Sequence, residues 1–188
     1  MNENPGYLLL DVRSKGEYED TSSFGLNIGR FKNATNISVQ ELGGRLNELK
    51  NYKDQPVFVY CSHSQRSRRA SKMLADSGFA KVFNINSGFS YTHQLPATSI
   101  ECLLAKTELN TGYNILSPQD LFIKLNTNGK DLFLLDIRPD SIYNGTSGSE
   151  KMNVYGTIKG SIHIDRNDLE ANVGKIPHNK EIIVICIW

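Results

Sequence analysis

Short apolar runs alternate with amphipathic stretches along this chain. Tyr7-Leu8-Leu9-Leu10 runs into Asp11-Val12-Arg13, and Val57-Phe58-Val59-Tyr60 runs into Cys61. Both read as buried strands that end in polar residues, as parallel strands do at the sheet edge that carries ligand chemistry. Further short strands are expected over residues 33–38 and 81–86, and the Gly-, Ser- and Asn-rich residues 21–32 read as loop. Helical spacing appears in residues 39–49, where Leu42, Leu46 and Leu49 share a face, and after Cys61, where Ala70, Met73, Leu74 and Phe79 do. A helical turn is expected around Glu17-Tyr18. Strands alternating with helices predict an α/β fold, a mainly parallel sheet flanked by helices on both sides.

The pattern recurs. Phe133-Leu134-Leu135-Asp136-Ile137-Arg138 repeats the first strand, and Asp11 and Asp136 stand 125 residues apart; Cys61 and Cys186 keep the same offset, and Gly29 and Gly156 differ by 127. Three anchors at nearly one offset predict tandem copies of one domain. The expected division is residues 1–98, a connecting segment 99–112 and a second copy 113–188. That copy opens with a short strand at Tyr113-Asn114-Ile115-Leu116 and a helix with Ser117 as N-cap and Pro118 in its first position. Residues 100–109 are apolar enough to pack as a helix. Each copy reads as incomplete: the first lacks this strand and helix, and the second stops soon after Cys186. The chain is then a window on a longer product, a truncated relative, or an arrangement in which residues 113–126 complete the first copy.

Composition narrows the classes. With 188 residues, net charge +1 and 39% hydrophobic residues, the sequence describes a globular protein and offers no argument for nucleic acid. No run reaches membrane-spanning length and no signal peptide opens the chain, so no membrane partner and a cytoplasmic location are expected. Cys61, Cys102 and Cys186 lie too far apart for a disulfide framework or a metal cluster, which predicts free thiols, no metal and no cofactor.

The chemistry concentrates in Cys61-Ser62-His63-Ser64-Gln65-Arg66-Ser67. A cysteine between a strand and a helix N-terminus faces inward-pointing N–H groups and the positive end of the helix dipole, which together favour a thiolate and an anionic ligand. Arg66, Arg68 and Arg69 crowd a helix end that prefers acidic residues; Arg66 is expected to fold back over the loop, with Arg68 and Arg69 solvated. An inert buried cysteine at a strand end is the competing reading.

This strand, cysteine loop, arginine and helix resemble the active-site loop of the rhodanese family of sulfurtransferases. Asp11-Val12-Arg13, then Glu17, then Gly29 followed by Ala34-Thr35-Asn36-Ile37 stand in the family's order, although a His often found before the Ile of the middle motif is absent at Gly25-Leu26-Asn27-Ile28. The resemblance implies a Cys61 thiolate that takes the outer sulfur of a small anionic donor, such as thiosulfate or a persulfide, and passes it to a thiol, cyanide or protein-thiol acceptor. It implies that Arg66 and the loop amides hold the donor, with Ser62, His63, Ser64, Gln65 and Ser67 lining the loop. Asp11, Arg13 and Glu17 are expected to support it, Arg13 pairing with Glu17 and Asp11 bracing the loop backbone. Loops tuned to thiosulfate often carry a basic residue where this one has Ser62. Two other classes stay open: a rhodanese-like binding or sensing module, and a Cys-dependent phosphatase or arsenate reductase, whose loops place five residues between Cys and Arg where this one has four. Cys186, followed by Ile187-Trp188, reads as a strand-end cysteine without a site.

Overall fold

Leu8, Leu10, Val57 and Val59 face one side of a sheet, while Leu9 and Tyr60 face the other. The computed structural model describes residues 6–95, 106–153 and 156–186, and packs as two compact units, residues 1–121 and 122–188. In the first unit β1 (Leu8–Asp11), β3 (Thr35–Asn36), β4 (Pro56–Tyr60) and β5 (Lys81–Asn84) form a parallel sheet in the order β3-β1-β4-β5. The register pairs Leu8 with Val57 and Asp11 with Tyr60, so Asp11 and Cys61 emerge together at one edge.

One face of this sheet packs on α2 (Leu42–Arg45), the 3-10 turns Leu46–Tyr52 and α3 (Gln65–Asp76), through Leu42, Leu49, Ala70 and Leu74. Leu10, Val57, Val59, Leu42 and Leu74 are fully buried, each stabilising the fold by roughly 1.5–3 kcal/mol. The other face meets Tyr18 of α1 (Lys15–Glu19), Ile28, Phe31, Phe89 and Ile115. There Phe31 stands edge-on to Phe89 and Tyr60, with ring centroids 4.8 and 5.0 Å apart, the geometry the aromatic quadrupole prefers. Helical segments therefore flank both faces, as the alternation predicts.

Several elements depart from expectation. The helix over residues 39–49 begins only at Leu42 and tightens to 3-10 turns after Arg45, consistent with the low helix propensity of Gly43-Gly44. The strands at 33–38 and 81–86 shrink to two and four residues. The loop 21–32 ends in a strand, β2 (Arg30–Phe31), which pairs antiparallel with β6 (Thr107–Glu108). Of the helix expected over residues 100–109, residues 107–108 are strand; residues 100–105 lie outside those described. No strand forms at Tyr113-Leu116. Side chains fix that stretch instead: the Tyr113 hydroxyl donates to the Asn27 carbonyl at 2.9 Å, and Ile115 packs on the Phe31 cluster.

The second unit holds a three-stranded parallel sheet. Strands β7 (Leu132–Asp136), β8 (Ile162–His163) and β9 (Glu181–Ile185) run parallel in the order β8-β7-β9. Asp136 pairs with His163 and Ile185, as Asp11 pairs with Asn36 and Tyr60. Helix α4 (Pro118–Asn128) starts as predicted, with the Ser117 hydroxyl oxygen accepting from the Asp120 amide at 3.1 Å.

Candidate active site

Cys61 follows directly on β4, and the chain turns into α3 through Ser64, whose φ of 75° lies in the left-handed region. That turn wraps the loop around the sulfur. The N–H groups of His63, Arg66 and Ser67 are directed at Sγ, and the thiol donates to Ser67 Oγ at 3.6 Å. Burial pushes the Cys61 thiol up, but the Ser67 hydroxyl and these N–H groups outweigh it, and its pKa falls below that of an ordinary thiol. Ser67 is fully buried and donates to the Ser64 carbonyl at 3.2 Å. On ionisation of Cys61 its proton can turn to the sulfur. The Ser64 hydroxyl donates to the Ile85 carbonyl at 3.3 Å and so ties the loop to the end of β5.

A second segment holds the loop from behind. Phe89 N–H donates to the Cys61 carbonyl at 2.8 Å, and Ser90 N–H donates to the Ser62 carbonyl at 3.1 Å. Gly88, with φ of 68°, packs so closely that a Cβ would lie 2.3 Å from the Ser62 carbonyl oxygen. Gly88, two residues beyond the strand expected over 81–86, is the signal in the sequence for this close approach.

Arg66 folds back as expected, onto Glu17. Its guanidinium donates to Glu17 Oε2 and Oε1 at 2.6 and 2.7 Å and to Ser62 Oγ at 2.8 Å. Glu17 is 6% exposed and is also the third residue of a capping box with Ser14. Burial pushes its carboxyl up, yet Arg66 and the Ser14 N–H and hydroxyl bring it down to about 2. The Glu17 pair raises the pKa of Arg66 further.

The expected Arg13–Glu17 pair does not form, because Asp11 lies nearer. Both Asp11 and Arg13 are 0% exposed, and Arg13 donates to the Asp11 carboxylate through N, Nε and Nη2 at 2.7–3.1 Å and to the Gly29 carbonyl at 2.8 Å. The guanidinium also faces the Tyr60 and Phe89 rings. Asp11 is thus the anchor of Arg13 and not a brace for the loop backbone. Arg138 makes the same set of bonds to Asp136 and to the Gly156 carbonyl in the second unit.

The remaining predicted residues fall at the rim. His63 and Gln65 are exposed and Ser62 and Ser64 buried. His63, Ser64, Gln65, Arg68, Asn86 and Ser87 line an open depression beside the loop. Arg68 is exposed and donates to Asn86 Oδ1 at 3.1 Å, while Arg69 lies on the helix surface. Cys61 is buried and Cys186 exposed, and neither is in a disulfide; Cys102 lies outside the described residues. Among the described residues no three His, Cys, Asp or Glu side chains converge as metal ligands, and no helix is long and apolar enough to cross a membrane.

Comparison with known proteins finds relatives that match slightly under half of this chain. It is 36% identical over 81 residues to the uncharacterized protein YqhL of Bacillus subtilis, covering 43% of this chain and 56% of that protein. It is 30% identical over 91 residues to the tRNA uridine(34) hydroxylase of Cytophaga hutchinsonii, covering 47% of this chain and 27% of the hydroxylase. A solved rhodanese from Escherichia coli, studied with anions, superposes with a TM-score of 0.36 at 25% identity, covering 43% of this chain and 85% of that one. The model of the rhodanese-like domain matches residues 1–94, which hold the β3-β1-β4-β5 sheet, Cys61 and Arg66; by that match this chain belongs to the rhodanese-like family.

Proposed function

We propose that the chain is a sulfurtransferase that carries sulfane sulfur as a persulfide on Cys61. The observation that carries this reading is the Cys61 sulfur ringed by the N–H groups of His63, Arg66 and Ser67 and by the Ser67 hydroxyl, with its pKa lowered. A thiolate held in this way needs no separate general base. It attacks the outer sulfur of the donor, forming a new S–S bond as the donor's own bond breaks and its electron pair leaves on sulfite or on a thiolate. An acceptor thiolate or cyanide then attacks that outer sulfur and releases Cys61 as thiolate. The loop N–H groups stabilise the anionic sulfur through both steps. Ser62, Ser64, Gln65 and His63 shape the loop, and the reducing cytoplasm is the proposed setting.

The matching strand order, register and Asp–Arg bonds support a tandem reading, with the second unit a further rhodanese-like copy whose Cys186 carries no site. Intact-mass measurement after incubation with thiosulfate, and separately with glutathione persulfide, tests the chemistry on wild type, Cys61→Ser and Cys186→Ser. Gain of one sulfur that needs Cys61, survives loss of Cys186 and reverses with cyanide or a thiol is expected. Folded wild type that gains no sulfur from either donor leaves a binding module.

A further inference from the structure

The arginine of the loop is held between the nucleophile and a carboxylate: its guanidinium interacts with Cys61 and is paired with Glu17. Nη1 and Nη2 lie 2.6 and 2.7 Å from the two oxygens of Glu17, and Nη2 also reaches Ser62 Oγ. Glu17 is itself held from the other side, since its Oε2 accepts from the Ser14 N–H and hydroxyl at 3.0 and 2.8 Å, and α1 is capped through the same contact. Its side chain is 7% exposed and that of Arg66 29%, so the pair is shielded from solvent on the carboxylate side and is screened less by salt than a surface pair. Ser62, the neighbour of the nucleophile, is neutral and buried. The nearest further cation of α3, Arg68, is exposed and turned to Asn86. The cradle therefore presents N–H dipoles and the Arg66 guanidinium to the sulfur, with that arginine's charge offset by a fixed carboxylate.

From this geometry we infer, building on the sulfurtransferase reading above, that Glu17 is a specificity-determining positioning residue that selects organic persulfides over inorganic dianionic donors. A persulfide R–S–S⁻ brings at most one negative charge to the reacting end, which the loop N–H groups can hold. Attack by Cys61 forms the Sγ–S bond, breaks the donor's S–S bond and releases R–S⁻ with that electron pair. Thiosulfate brings two negative charges into a site whose one loop arginine is already paired with a carboxylate, and it releases sulfite there.

The test is the second-order rate of sulfur loading onto Cys61, followed by intact mass, with glutathione persulfide and thiosulfate as donors. Wild type is expected to load from glutathione persulfide at least about tenfold faster than from thiosulfate, and Glu17→Gln, which keeps the shape but removes the charge, is expected to narrow that ratio by about tenfold or more, mainly by speeding thiosulfate. A purely structural role for Glu17 would slow both donors together and leave the ratio unmoved. An unchanged ratio in folded Glu17→Gln, or equal rates in wild type, overturns the inference while leaving the sulfurtransferase reading intact. Loading from neither donor by folded wild type overturns that reading and the inference with it. The wild-type ratio needs no variant, so a poorly folded Glu17→Gln leaves the inference exposed to refutation.

Discussion

Gly88 lies against the backbone of Ser62 so tightly that the first atom of any side chain would sit 2.3 Å from the Ser62 carbonyl oxygen. The contact places the Phe89 and Ser90 N–H groups on the Cys61 and Ser62 carbonyls, which leaves the loop's own N–H groups free to face the sulfur.

Gly88→Ala is therefore expected to damage the site before it damages the fold. The left-handed φ alone costs a side chain about 1–2 kcal/mol, and relief of the clash moves the loop. A lower Tm together with loss of sulfur loading checks this; a variant that loads at the wild-type rate sinks it.

The thiol of Cys61 should react as a thiolate at lower pH than an ordinary cysteine, because hydrogen bonds to the ionised sulfur outweigh its burial. Ser67→Ala removes one of them, so the pH profile of iodoacetamide alkylation is expected to move upward and the rate at neutral pH to fall several-fold. A profile that stays in place or moves down contradicts this account.

Glu17 titrates at about 2 in the fold against an ordinary 4.5. A depressed carboxyl contributes stability that is whole above its unfolded pKa and fades as pH falls through the folded one, here between about 4.5 and 2, and amounts to roughly 2–3 kcal/mol. Urea unfolding of wild type and Glu17→Gln should thus differ most at neutral pH and converge in acid. Parallel curves down to pH 2 would show that the Arg66 pair contributes nothing.

Gly29 meets the strand at 107–108 in the same way that Gly88 meets the loop: its φ is 81° and a Cβ would stand 2.4 Å from the Glu108 carbonyl oxygen. Gly29→Ala is expected to loosen β6 from β2 and to break the Arg30–Glu108 ion pair, which is 2.7 Å long. Hydrogen exchange at residues 106–110 should rise while that of β4 is kept; unchanged protection at 106–110 refutes this.

The strands and the cysteine loop were legible because each is a contiguous signal. Val57 to Tyr60 is apolar and β-favouring, and the loop and the apolar face of α3 follow without a break. What escaped the sequence depends on partners far apart in the chain. Glu17 and Arg66 are separated by 49 positions, and nothing local says that Arg13 will turn to Asp11, two residues back, instead of to Glu17. The clamp is favoured because a carboxylate at the end of β1 and a guanidinium on the same edge can bury each other, with the Gly29 carbonyl and two aromatic rings completing the shell. β6 was missed because a two-residue strand has no period to read, and Tyr113 and Ile115, which look like strand residues, act as anchors for a loop.

The tethers from Phe89 and Ser90 also bear on the energetics of the proposed sulfur transfer. A loop whose carbonyls are already tied back cannot flip its peptides to meet a charge, and has no need to. The dipoles that greet the sulfur are in place beforehand, so the proposed passage from thiolate to persulfide would entail little reorganisation energy, the barrier being left to bond exchange and the leaving group rather than to rearrangement of the protein.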